Sequence, residues 1–159
     1  MGTFSSLIFF VANAQAQINQ TKEIQTSQTF GEYTVHYNVF NSKTIPADVA
    51  NTYHLKRGSN TAIVNIALTK ALKNQKGNSL GIAAKISGKA TNLMQQTEAL
   101  NFSEVQEGDS KVETSATYYL ASFYYINEED IHFTVQISPS DDPSKRFEVS
   151  FTRRLYAEN

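Results

Sequence analysis

Hydrophobic and polar residues alternate along most of this chain, most clearly from Glu32 to Asn41. There Tyr33, Val35, Tyr37 and Val39 fall on one side, and Thr34, His36, Asn38 and Phe40 on the other. A period of two is the signature of a β-strand with one face buried. The same pattern recurs in Thr61–Thr69, where Ala62, Val64, Ile66 and Leu68 share a face. It recurs in Gly81–Lys89 with Ile82, Ala84 and Ile86, and around Leu100, Phe102 and Glu104. Thr117–Tyr125 is the most aromatic stretch, carrying Tyr118, Tyr119, Phe123, Tyr124 and Tyr125. Ile131, Phe133, Val135 and Ile137 then alternate with His132, Thr134 and Gln136, and Phe147, Val149 and Phe151 with Glu148 and Ser150.

Turn signals separate these runs: Gly77-Asn78-Ser79, Glu107-Gly108-Asp109, Asn127-Glu128-Glu129-Asp130 and Pro139-Ser140-Asp141-Asp142-Pro143. One segment breaks the alternation. In Ile45–Tyr53, Pro46 suits a first helical position, Asp48 complements the helix dipole, and Val49 and Tyr53 lie four apart, so both are expected to face the core. The sum is about seven strands with one short helix after the first. This predicts an all-β antiparallel β-sandwich, immunoglobulin-like in shape but without the Cys and Trp marks of an antibody domain, with a barrel as the alternative.

Composition narrows the picture. At 159 residues with 40% hydrophobic and 11% aromatic content, the chain suits a single sheet-built domain. A net charge of −1 gives no general pull toward nucleic acid. With no cysteine, disulfides and thiol chemistry are excluded, so the core alone must hold the fold.

The N-terminus reads as a targeting segment. Leu7–Ala12 is apolar and Ala14-Gln15-Ala16 supplies small residues at a signal-peptidase spacing, so cleavage is expected after Ala16. The competing reading, a buried strand from Phe4 to Val11, leaves that motif and the polar stretch after it unexplained. No Lys or Arg precedes the apolar run, so the signal reads as truncated at its start, and the run is too short to span a bilayer as a helix. The expected organisation is a signal peptide over 1–16, a polar lead-in over 17–28 and one β-sandwich domain over 29–159.

The segment Phe30–Ser42, with Ser87-Gly88-Lys89-Ala90-Thr91-Asn92-Leu93, Asn101-Phe102-Ser103-Glu104-Val105 and Ala116-Thr117-Tyr118-Tyr119, resembles a family of small exported gammaproteobacterial proteins. That family is known as a domain of unknown function, number 4426 of its series. The resemblance runs from about Phe30 to the end of the chain. It implies export to the periplasm and a single all-β domain. It implies no activity and no catalytic residues.

Few residues invite chemistry. Gly77-Asn78-Ser79-Leu80-Gly81 matches the hydrolase G-x-S-x-G pattern, with Asp109 or Asp130 and then His132 in the matching order. That motif needs a strand before the serine and a helix after it, whereas here a Lys-rich loop precedes it and a strand follows, so it reads as a hairpin loop. The three histidines, His36, His54 and His132, show no metal-ligand spacing. The acidic turns at 128–130 and 141–142 follow no calcium-loop pattern and read as solvated turns. Asn19-Gln20-Thr21 and Asn101-Phe102-Ser103 fit the glycosylation pattern, which matters only in a eukaryotic secretory pathway, and the bacterial resemblance argues against it. His36 and Asn38 share one strand face, and if that face is open they could line a polar site; Tyr118 and Tyr119 place phenols on both faces of their strand. These four are the candidate binding residues. No catalytic residue, metal or cofactor is expected. The expected function is a non-enzymatic, periplasmic module that binds a protein partner in the cell envelope. The alternative is a small-ligand-binding protein or enzyme with its site near His36 and Asn38.

Overall fold

The computed structural model describes residues 24–77, 79–107 and 116–158. The expected signal peptide, its cleavage point and Asp109 lie outside the described residues. In chain order the elements are β1 (Ser27–Phe30), β2 (Tyr33–Asn41), a 3-10 turn (Ser42–Thr44), α1 (Ala47–Thr52), β3 (Thr61–Ala71), β4 (Ser79–Gly81) and β5 (Ala84–Thr91). They continue with β6 (Thr97–Leu100), β7 (Ser103–Glu107), β8 (Ala116–Tyr124), β9 (Glu129–Pro139) and β10 (Phe147–Leu155).

Two antiparallel sheets result. The first is six-stranded, in the order β1-β2-β3-β8-β7, with β4 also on β3; the second is four-stranded, in the order β10-β9-β5-β6. They face each other across one apolar layer. The first sheet contributes Tyr33, Val35, Tyr37, Ala62, Val64, Ile66, Leu68, Tyr119, Ala121 and Phe123. The second contributes Ala90, Leu100, Ile131, Phe133, Val135, Ile137, Val149, Phe151 and Leu155. This is the expected sandwich, and the period of two sets which side chains enter it. Every one of Ala62, Val64, Ile66 and Leu68 is at most 1% exposed.

Three strands are more than the alternation predicts. β1 is a short edge strand on β2, reached through a two-residue turn whose Gly31 has φ 61°, a backbone value that favours glycine. The other two come from strands that change sheets. The stretch Gly81–Lys89, read as one strand, is the end of β4 in the first sheet and β5 in the second, joined by Ile82-Ala83. Leu100–Glu104 is likewise the end of β6 and the start of β7, joined by Asn101-Phe102. The aromatic strand ends at Tyr124, so Tyr125 lies just beyond it, and Pro139 does not break β9 but closes it, paired with Ala84.

The first sheet carries a second, smaller core on its outer face. Ile63 and Leu120 point away from the sandwich and pack with Phe40, Tyr118 and Val105 beneath Ile45, Ala50, Leu55 and Tyr53. α1 is the lid of this cluster. It differs from expectation in two respects. Pro46 is the N-cap residue rather than the first helical one, and the helix buries Ala50 while Val49 is 36% exposed. With only six residues, α1 depends on this packing to persist. The loop beneath it is fixed by Ser42, whose fully buried hydroxyl donates to the Gly58 carbonyl (3.2 Å) and accepts from the Gly58 N–H (2.9 Å).

Polar clamps hold the flanks of the sandwich. Tyr33, 1% exposed, donates its phenol proton to the Asp141 carboxylate (3.0 and 3.1 Å), while Lys70 and Lys145 stand 4.9 and 5.0 Å from its ring. Lys70 also pairs with Asp141 at 2.7 Å and with Glu32 at 3.4 Å. Its hydrogen bond to Asp141 holds that carboxyl below the usual carboxylate range and raises the Lys70 ammonium. Along the β1–β10 edge, Arg153 lies 5.1 Å from the Phe151 ring and 5.8 Å from the Tyr37 ring, and donates to the Gln25 carbonyl. An inward-pointing charge of this kind blunts the edge of a sheet.

Candidate functional site

Two places on this framework could meet a ligand or partner. The first is the outer face of the six-stranded sheet, beside the area that α1 covers. The β2–β3 register sets His36 opposite Ala67 and Asn38 opposite Asn65. Tyr118 stands one residue beyond the last β3–β8 pair, Ile66 and Tyr119. These five residues, with Thr26 and Tyr37, line a shallow depression of about 340 Å3. The face carrying His36 and Asn38 is therefore open, and three of the four candidate binding residues converge there.

The fourth does not. Tyr119 points into the sandwich, is 5% exposed, accepts from the Ala84 N–H (2.8 Å) and donates to Glu104 (3.3 Å). Burial pushes its phenol pKa up. Its hydroxyl ties β8 to the start of β5, a structural role across the two sheets.

Within the depression several polar groups have a named partner. His36 Nε2 lies 2.9 Å from Thr69 Oγ1. The Thr69 hydroxyl also stands 3.5 Å from the Thr34 carbonyl, and which of His36 and Thr69 donates depends on the ring tautomer; Nδ1 has no hydrogen-bond partner among the described residues. Burial lowers the His36 pKa, which favours the neutral ring. Asn38 Oδ1 accepts from the Val39 N–H at 2.8 Å. That N–H faces the edge of β2 just past the reach of β1, whose pairing ends with Thr26 accepting from Tyr37, so Asn38 also caps an open sheet edge. Asn65 Oδ1 is buried without any hydrogen-bond partner. Sequence reasoning did not single out Asn65. Its signal was a polar residue standing between Val64 and Ile66 in an otherwise apolar strand.

The remaining chemistry suggested by the sequence is absorbed by structure. Ser79 opens β4 and is followed by β5 rather than a helix, so no nucleophile elbow forms. His132 bonds Thr152 at 3.1 Å on the outer face of the second sheet. Asp130 pairs with Arg154, Asp141 with Lys70, and Asp142 with Lys145, so the acidic turns are ion-paired, not merely solvated. Among the described residues no group of three or more His, Asp or Glu side chains could hold a metal ion, and no helix is long and apolar enough to cross a membrane.

The second place is one end of the sandwich. The β5–β6 hairpin turns through Asn92–Gln96, and its loop is tightly bonded. Asn92 N–H donates to the Gln96 carbonyl (3.0 Å), Gln96 N–H to Asn92 Oδ1 (2.9 Å), and Asn92 Nδ2 to Gln96 Oε1 (2.7 Å). The tip presents Leu93 and Met94, which are 75% and 76% exposed. The register Thr91–His132 places this tip beside the β8–β9 turn, where Tyr124 and Ile126 share a depression with Asn92 and Gln96. Tyr156 lies at the same end, since its carbonyl accepts from Tyr125 Oη (2.8 Å) and Ala157 N–H donates to Asn127 (2.8 Å). Of the eight large apolar side chains left exposed among the described residues, five are thus gathered here.

A family model described as a domain of unknown function, DUF4426, matches residues 27–158. No curated protein matches the chain. Among solved structures, the chain is similar to the crystal structure of a DUF4426 family protein from Pseudomonas aeruginosa, with 26% identity and a TM-score of 0.68. That similarity covers 84% of this chain and 95% of the other.

Proposed function

Since the chain belongs to the DUF4426 family of domains of unknown function, we propose that it is an exported, non-enzymatic module of the periplasm that docks a protein partner of the cell envelope. The observation that supports this reading is the apolar end of the sandwich. Leu93, Met94, Tyr124, Ile126 and Tyr156 are each 60% or more exposed, and they belong to one end of the sandwich, around the β5–β6 tip and the β8–β9 turn. The hairpin that carries Leu93 and Met94 is already ordered by its own hydrogen bonds, so docking it costs little conformational entropy. Export is supported by the apolar run at Leu7–Ala12 followed by Ala14-Gln15-Ala16.

The test is cross-linking in periplasmic extract from a Gram-negative host, comparing the parent chain with the double variant Leu93→Asp, Met94→Asp. The parent is expected to capture a defined protein that the variant loses while keeping its melting temperature, because both side chains are already in water. Equal capture by both would refute docking through this end. Export is tested separately by the N-terminal sequence of the secreted form, expected to begin at Gln17.

A further inference from the structure

We propose that the depression over Ala67 on the outer face of the six-stranded sheet is a second, independent binding site, and that its ligand is a neutral amide-bearing group: a peptide unit or an acetamido substituent.

The chemistry of the lining sets the class. His36 Nδ1 and Asn65 Oδ1 have no hydrogen-bond partner, and Nδ1 donates or accepts according to the ring tautomer. Asn38 Oδ1 is taken by the Val39 N–H, which leaves its Nδ2 amide as a donor. The Tyr118 hydroxyl can donate or accept. With the Thr26 hydroxyl, which also lines the depression, the site offers one donor at Asn38, one acceptor at Asn65 and three groups that can be either, with no Lys, Arg, Asp or Glu in its lining. A carboxylate or phosphate would find no cation there, and an ammonium no anion. An amide carries an N–H and a C=O on one rigid plane and is uncharged, which suits an uncharged lining of mixed donors and acceptors.

A second observation points the same way. A polar atom buried without a partner is rare in a folded protein and destabilises it, so each case calls for a reason. Asn65 sits mid-strand between Val64 and Ile66, where an apolar residue would cost nothing. Its Oδ1 lies beneath the surface, so the amide must turn about its last side-chain bond to present that oxygen at the mouth. Ala67 supplies the space, because any larger side chain there would fill the gap between His36 and Tyr118. A volume of about 340 Å3 matches a monosaccharide or a dipeptide unit.

The experiment is a heteronuclear NMR titration of the whole chain with three probes: N-acetylglucosamine, N-acetylalanine methylamide, and glucose as a hydroxylated control without an amide. Saturable shifts are expected at the His36 ring, the Asn65 side-chain amide and Tyr118 for at least one amide probe, and none for glucose. Response to the sugar alone assigns the acetamido source; response to the capped amino acid alone assigns a peptide; response to both supports the amide class itself. Asn65→Leu is expected to keep the fold, raise the melting temperature and weaken the responding probe by about tenfold or more. Tyr118→Phe, which deletes a single oxygen, guards against a folding artefact and is expected to weaken it less. No shift with either amide probe at millimolar concentration, an equal response to glucose, or undiminished binding by Asn65→Leu would overturn the proposal. None of these outcomes depends on the apolar end, so docking there can fail while this site stands.

Discussion

Removing the Phe133 ring should expose how the two sheets are held together. Phe133 lies at the middle of β9 and is 0% exposed. Its ring meets Phe123 of the opposite sheet edge-on at 5.1 Å and Phe151 of β10 at 5.0 Å; Phe151 stacks in turn on Tyr37 of the first sheet at 4.4 Å. The four rings run from one sheet to the other and back. Phe133→Ala leaves a cavity that neighbours on three strands cannot collapse into, and such substitutions cost about 3–5 kcal/mol. Two ring contacts, each worth about 0.5–1.5 kcal/mol beyond area burial, put this case near the upper end, about 4–5 kcal/mol. For a domain of this size that is a fall of about 15 °C in melting temperature. Phe133→Leu keeps most of the volume and should cost about 1–2 kcal/mol. Urea unfolding followed by circular dichroism and by tyrosine fluorescence measures both, with the midpoint shifting and the m-value unchanged. A loss below about 2 kcal/mol in the alanine variant, or equal losses in the two variants, would mean that the ring chain is not what joins the sheets.

Three further outcomes follow from the polar groups. Ser42→Ala leaves the half-buried Gly58 N–H and carbonyl without their partner and should cost about 1–3 kcal/mol by chemical denaturation; a loss within error would show that water replaces the hydroxyl. Tyr33→Phe keeps the ring beneath Lys70 and Lys145 but deletes the hydrogen bond to the Asp141 carboxylate; about 1–2 kcal/mol should be lost, and an unchanged midpoint would assign the clamp to the lysines alone. Because burial lowers the His36 pKa from 6.5, the unfolded chain takes up that proton first as pH falls. Stability contributed by the neutral ring is therefore complete above pH 6.5 and lost as pH drops through the folded value. His36→Gln should flatten the stability slope in this window, and identical slopes in parent and variant would exclude the effect.

The alternation of the chain made the sandwich legible because an inner face must be continuously apolar and an outer one need not be. It located β2, β3, β9 and β10 and the faces of their side chains. It failed where both faces carry apolar residues. Ala62-Ile63-Val64 and Tyr118-Tyr119-Leu120 serve the main core and the α1 cluster at once, so period two alone could not show which tyrosine faces outward. It also failed where a strand crosses between sheets, since inward residues stay inward through Ile82-Ala83 and Asn101-Phe102 and the pattern does not break. β1 was missed because an edge strand of four residues with exposed Gln28 and Thr29 has no apolar stripe. At the site, His36, Asn38 and Tyr118 stood out as residue types, but their convergence depended on the β2–β3–β8 pairing order, and Asn65 mattered only once its neighbours were known.

The two crossings also determine how the β5–β6 hairpin opens. A terminal or peripheral hairpin is commonly the first unit to peel away in local unfolding. Here both legs continue directly into strands of the facing sheet, β4 at one base and β7 at the other. Detaching Ala84–Leu100 therefore means tearing β4 from β3 and β7 from β8 as well, and the hairpin cannot breathe alone. Its interior amides should exchange with deuterium only through global unfolding, on the timescale of the β9 centre. On that expectation the tip bearing Leu93 and Met94 stands on a slowly exchanging hairpin, and a partner that docks there would meet a surface set before contact.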